Sequence, residues 1–126
     1  MSNLPPDLKL PLFVFGTLRR GHRNHHYLDG LYDRMVPAKL RGYQRLHELM
    51  IARHPGGVVD GELYSLNLEQ YESTLAACDE LEEIPPGTLV GHEYERKLVT
   101  VETMDGPIRA WAYVQPETLQ GHSPLD

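Results

Sequence analysis

One cysteine, one tryptophan, two phenylalanines and twelve basic residues against eighteen acidic ones are what this 126-residue chain has to work with. A single cysteine excludes an intramolecular disulfide and fits a reducing compartment, so the cytoplasm is the expected location. No apolar run approaches the ~18 residues that a membrane span needs. The opening Met1–Leu10 also lacks the apolar segment of a secretory signal, so no membrane partner is expected. With a net charge of −6, Arg19, Arg20 and Arg23 form a local basic spot without a basic face extending from it. Nucleic acid is therefore not the expected partner, because phosphate backbones are held by many cationic contacts. Gly16–Gly21 lacks the lysine and following hydroxyl of a nucleotide-phosphate loop. His22, His25 and His26 match no established metal-ligand spacing. Neither a metal nor a cofactor is expected.

What remains is enough chain for one core, read as a single domain over residues 1–126, with 1–10 a loose arm and 115–126 an irregular tail. Strand patterns fall at Leu12–Phe15, Met35–Tyr43, Glu48–Arg53, Val58–Tyr64, Glu93–Thr103 and Ile108–Val114. Pro55-Gly56-Gly57 signals a turn, and Gly61 inside its strand marks a bulge or a close backbone approach. Asn24 is placed to cap a short helical turn ending at Gly30. Asn67 and Gln70 form a capping box for a helix running to about Glu83, which must stop before Pro85-Pro86. About six clustered strands and one main helix predict an α+β fold or a small barrel, not a doubly wound sheet.

Two stretches stand out chemically. Leu12–Phe15 is an uninterrupted apolar run ended by Gly16, where the chain turns without a Cβ in the way. The N–H groups of the next residues lack an evident strand partner, and such turns make concavities suited to carboxylates and oxyanions. The second stretch is the helix. At ~100° per residue, Leu68, Tyr71, Leu75 and Cys78 share an arc about 80° wide, and Glu82 falls in its middle. A carboxylate there must be paired, hydrogen-bonded, protonated or facing a pocket. Two arrangements fit. Either the helix frays by Leu81 and Glu82 turns to water or pairs with Arg96, or Glu82 looks into a cleft as a proton acceptor. Cys78 reads as a buried inert thiol, and Arg96 as a salt-bridge partner. Trp111 and Tyr113 read as core.

Together, Phe13-Val14-Phe15-Gly16-Thr17-Leu18-Arg19-Arg20-Gly21 with Asn24-His25, Val59–Tyr64, Asp79-Glu80-Leu81-Glu82, Tyr94-Glu95-Arg96 and Ala110–Val114 resemble the γ-glutamyl cyclotransferase-like family, in order and spacing. That family includes γ-glutamylamine cyclotransferases and AIG2-like proteins. The resemblance implies a small closed β-barrel with flanking helices. It implies Glu82 as the catalytic acid–base, and Phe15, Gly16, Thr17 and Leu18 as the substrate-binding loop. The implied partner is a small molecule with a γ-glutamyl group, converted to 5-oxoproline by attack of its own α-amine. The leaving-amine pocket is expected along residues 41–54. Two departures are visible: Phe15 stands where the family usually has tyrosine, and Glu83 where many members have glycine. The alternative is a non-catalytic domain that binds a small amino acid or anion on the same scaffold.

Overall fold

The computed structural model describes residues 9–47, 50–91 and 93–115. Five strands close into a barrel in the order β1-β3-β2-β4-β5, with one α-helix packed outside. They are β1 (Leu12–Val14), β2 (Tyr32–His47), β3 (Met50–Leu66), β4 (Glu95–Thr103) and β5 (Gly106–Val114). The helix is α1 (Tyr71–Leu81). The shortest strand makes the closure. β1 pairs antiparallel with β3 (Phe13 opposite Leu63) and parallel with β5 (Phe13 opposite Ala112).

Side chains alternate across this wall, as a strand's two-residue period requires. Phe13, Leu40, Val59, Val101 and Ala112 belong to one buried cluster. Leu12, Val14, Tyr64 and Tyr113 belong to a second, shared with Tyr71, Leu75 and Cys78 of α1. Every residue of β1 is buried because both of its faces meet core. Gly61 lies in register opposite Ala38, so it is not a bulge. It is a close approach: a Cβ there would lie 2.7 Å from Phe13 Cζ and against the Val14 carbonyl.

Among the described residues the strand count is five, close to the about six expected, because the expected turn at Pro55-Gly56-Gly57 does not separate two strands. Glu48–Arg53, of which Glu48 and Leu49 lie outside the described residues, and Val58–Tyr64 join into β3. The pairing jumps from Arg41–Val58 to Tyr43–Arg53, so residues 54–57 bulge opposite Gly42. Positive φ at Gly42 and Gly56 absorbs the bend (φ 87° and 85°).

The helix is shorter than its sequence pattern. Leu68–Gln70 is a 3₁₀ turn that carries Leu68 outward, leaving it 65% exposed rather than on the buried arc. Asn67 Oδ1 does accept from the Glu69 N–H, but the reciprocal half of the capping box is replaced. The Asn67 N–H donates to the Leu31 carbonyl instead. Asn24 does not cap its 3₁₀ turn (His25–Tyr27) either, because its side chain is engaged elsewhere. Residues 1–8 of the expected arm and 116–126 of the expected tail lie outside the described residues. Lys9 and Leu10 are fastened to α1, through a Lys9–Glu72 ion pair at 2.6 Å and the Tyr71 hydroxyl on the Leu10 carbonyl at 2.7 Å.

Candidate active site

A cavity of about 220 Å³ opens where β1 ends. Phe13, Val14 and Tyr113 form its buried floor, and Phe15–Leu18 with Asn24 form one wall. Leu81, Glu82 and Tyr94 line it as well, and of the lining residues Arg23 and Glu93 are exposed. Both stretches singled out in the sequence thus face the same cavity. Residues 41–54, expected to line the leaving-group end, contribute none of the described lining residues.

The loop wall is built by satisfying its carbonyls from behind. Arg45 Nη1 donates to the Phe15 carbonyl at 2.8 Å, and its guanidinium lies 5.7 Å from the Phe15 ring centroid. The Gly16 carbonyl accepts from the Arg19 N–H (3.0 Å) and from Arg19 Nε (3.1 Å). The Thr17 carbonyl accepts from the Asn24 N–H at 3.0 Å, while Asn24 Nδ2 donates to Thr17 Oγ1 at 2.8 Å. A planar trans peptide points its N–H opposite its carbonyl. Fixing those three carbonyls therefore aims the N–H groups of Gly16, Thr17 and Leu18 away from their anchors. Among the described residues none of these three N–H groups has a hydrogen-bond acceptor. Three consecutive free donors make a seat for an anion. Further along, His25 Nδ1 is 3.0 Å from the Leu18 carbonyl, and the Glu62 carboxylate accepts from the Arg20 N–H and the Tyr64 hydroxyl.

Glu82 owes its position to how α1 stops. The helix does end at Leu81, yet Glu82 does not turn to water. The Ile84 N–H returns to the Asp79 carbonyl and the Glu83 N–H to the Glu80 carbonyl, with Glu83 left-handed at φ 61°. This is the Schellman pattern, and the chain reverses only after Glu82, whose own N–H still makes the helical bond to the Cys78 carbonyl at 3.1 Å. Glu82 is half-buried and, among the described residues, makes no side-chain hydrogen bond or ion pair. Burial pushes its pKa up to about 7, reinforced by the negative charges of Asp79, Glu83 and Glu93.

Arg96 does not pair with Glu82. It holds Asp79 through Nε at 2.9 Å and Nη2 at 3.2 Å, while lying 4.6 Å over the Trp111 ring. The Tyr113 hydroxyl donates to the same carboxylate at 2.6 Å. Arg96 therefore has the salt-bridge role expected of it, with a partner three residues earlier than the one considered. Cys78 is fully buried, and burial raises its thiol to about 12, reinforced by Asp79 and Glu82. Such a thiol is not a nucleophile at neutral pH.

Known proteins resemble this chain over most of its length. Residues 12–125 match the family described as gamma-glutamyl cyclotransferase, AIG2-like. The chain belongs to that family. A Vibrio cholerae protein described as a "putative gamma-glutamylcyclotransferase" is 34% identical, over 91% of this chain and 90% of its own length. Among solved structures, Bacillus subtilis YkqA superposes with a TM-score of 0.67 at 24% identity, over 86% of this chain. The chain spans 36% of that protein's length. A structure described as gamma-glutamyl cyclotransferase superposes with a TM-score of 0.58 at 17% identity, covering 85% of this chain and 66% of the other. These two likenesses support the shared barrel and helix.

For a gamma-glutamyl cyclotransferase family member, the departures noted in the sequence now have locations. Glu83 occupies the left-handed position at which glycine is unstrained, and its charge lies close enough to raise Glu82. Phe15 is buried, with its ring against the Arg45 guanidinium. Sequence reasoning did not select Arg45 or Glu93, whereas Tyr94, which lines the cavity, belongs to the Tyr94-Glu95-Arg96 stretch that it quoted. Arg45 and the loop are about thirty residues apart, and only the barrel brings them together.

Proposed function

We propose that this protein is a lactam-forming cyclotransferase acting on γ-glutamyl amines or isopeptides, with Glu82 as its acid–base group. The observation that carries the reading is one small cavity lined both by a carboxylate and by three consecutive backbone donors, none of which has a hydrogen-bond partner among the described residues. Membership of a cyclotransferase family supports it.

The substrate head carries an α-carboxylate and an α-ammonium. The N–H groups of Gly16, Thr17 and Leu18 hold the carboxylate or the charge building on the γ-carbonyl oxygen. Glu82 takes a proton from the ammonium, and the freed amine attacks the γ-carbonyl carbon. A new N–C bond closes a five-membered ring, and the C–N bond to the leaving amine breaks. Two protons pass in all from the α-nitrogen to the leaving nitrogen, with Glu82 accepting and returning them. The products are 5-oxoproline and the ammonium form of the leaving amine, and no water is consumed. Nucleophile and electrophile share one molecule, so much of the acceleration comes from holding the bent conformer. A carboxylate titrating near neutrality is matched to this two-way transfer.

The test is incubation of the protein with a panel of γ-glutamyl amides, measuring 5-oxoproline and released amine in equal amounts. Lactam from at least one member is the expected result. No lactam from any, together with tight binding of free glutamate, would overturn the reading in favour of a binding domain.

A further inference from the structure

The donor loop is tied to the barrel wall on both sides of its three free N–H groups. Before them, Arg45 of β2 holds the Phe15 carbonyl at 2.8 Å. Beyond them, Glu62 of β3 holds the Arg20 N–H at 2.8 Å. Gly16, Thr17 and Leu18 lie between these two anchors, in a turn closed by the Arg19 N–H on the Gly16 carbonyl.

Glu62 is in register with Val14, the last residue of β1, so it stands where the chain leaves the seam. It is half-buried. Residues two apart on a strand share a face, which sets Tyr64 beside it. Tyr64 is fully buried, and its hydroxyl donates at 2.8 Å to Glu62 Oε1, the same oxygen that accepts from Arg20. Burial, reinforced by the bond to Glu62, raises the pKa of this hydroxyl and keeps it a donor. The Tyr64 ring meets Tyr32 edge-on at 4.6 Å and lies 5.8 Å from the ring of His25, whose Nδ1 is 3.0 Å from the Leu18 carbonyl. Both peptides flanking Arg19 are thus held by side chains that rest on one buried tyrosine. Neither Glu62, Tyr64 nor His25 lines the cavity, so whatever they contribute to chemistry passes through the loop. Hydrogen bonds weaken steeply as the N–H···O angle closes, so three donors serve one anion only while their directions are fixed.

We infer that Glu62 is a positioning residue: its Oε1, aimed by Tyr64, fixes the far end of the donor loop so that the Gly16, Thr17 and Leu18 N–H groups converge on one anionic group of the substrate. This rests on the lactam-forming reading above, in which the loop holds the substrate carboxylate or the developing oxyanion. Reach rather than charge is what the position requires, because a single oxygen takes both bonds.

The test measures kcat and KM for 5-oxoproline formation from the γ-glutamyl amide that the wild type converts best. Glu62→Gln, Glu62→Asp and Glu62→Ala are compared with it, each well below its own thermal midpoint. Glutamine keeps an oxygen at the same reach and is expected to stay within about twofold of the wild type. Aspartate keeps the charge but stops one methylene short. It and alanine are expected to lose about tenfold in kcat/KM, the low end for one hydrogen bond to a charged group. If alanine does not fold, the glutamine and aspartate variants decide the matter between them. Aspartate as active as the wild type, or glutamine as impaired as aspartate, overturns this inference alone. So does an unchanged kcat/KM in all three variants with only their midpoints lowered. Conversion of no γ-glutamyl amide by the wild type overturns the lactam-forming reading, and this inference with it.

Discussion

Replacing Glu82 by glutamine is expected to stabilise the protein while removing its activity. The side chain keeps its shape and loses the charge that the cavity disfavours. Burial, with Asp79, Glu83 and Glu93 nearby, lifts the carboxyl from 4.5 to about 7 in the folded chain. The native state therefore binds more protons than the unfolded chain between those two values. Wild-type stability consequently falls as pH rises through that window. At 1.36 kcal/mol per pH unit, the full displacement amounts to about 3 kcal/mol above neutrality. Water entering the open mouth screens part of it, so Glu82→Gln should gain about 1–3 kcal/mol at pH 8 and almost nothing at pH 5. Urea unfolding of both proteins at the two pH values reads the difference directly. Turnover of any γ-glutamyl substrate should fall ~10²–10⁴-fold, the usual contribution of a positioned acid–base group. A variant no more stable than the parent at pH 8 would refute the claim that the charge is held away from water. A variant equally active would remove Glu82 from the mechanism.

Glu83→Gly relieves the left-handed backbone at φ 61° and gains up to about 1 kcal/mol, net of glycine's own entropy cost. It also removes one charge from beside Glu82. The acid limb of kcat/KM, which rises with pH as the carboxylate forms, should therefore move below 7 in a pH–rate profile. Arg96→Met strands Asp79 in a site where both partners are nearly covered, 12% and 15% exposed. It should cost about 3–5 kcal/mol in denaturant melts. Gly61→Ala drives a methyl into Phe13 and the Val14 carbonyl, lowering stability by at least about 2 kcal/mol by the same measurement. Arg45→Met frees the Phe15 carbonyl and loosens the donor loop. It should reduce kcat/KM about tenfold, with lysine at position 45 restoring part of the loss.

Much of the site was legible because its signals are local. Leu12–Gly16 announces a buried strand and a turn within five residues, and the helical wheel places Glu82 inward although the helix is shorter than its pattern. The inward direction survives because Glu82 still makes the helical bond to the Cys78 carbonyl, the chain leaving the helix only in the Schellman reversal at Glu83. Its usual marker, a glycine, is missing from this chain, which is why the helix reads two residues too long. Leu68 misleads for the opposite reason: it fits the helical period but sits in a 3₁₀ turn with a different angular step. The Pro55-Gly56-Gly57 signal reports real backbone bending, yet a proline–glycine pair reads alike in a hairpin turn and in a bulge four residues wide. Contacts such as Arg45 with Phe15 and Arg96 with Asp79 depend on barrel closure, and no short-range pattern encodes them. The pairing of Asn24 with Thr17 lies between these cases. It is seven residues in reach, but it competes with a capping role that the same side chain suits equally well.

β1 is three residues long, every one of them fully enclosed, and it is the seam on which the barrel shuts. The donor turn begins at Gly16, two residues past the end of that seam. Architecture and candidate site are thus welded at one point, and drift in the floor of the cavity would loosen the barrel along with the site. New substrate preferences in such a molecule must then be written at the entrance, in side chains that bear no weight.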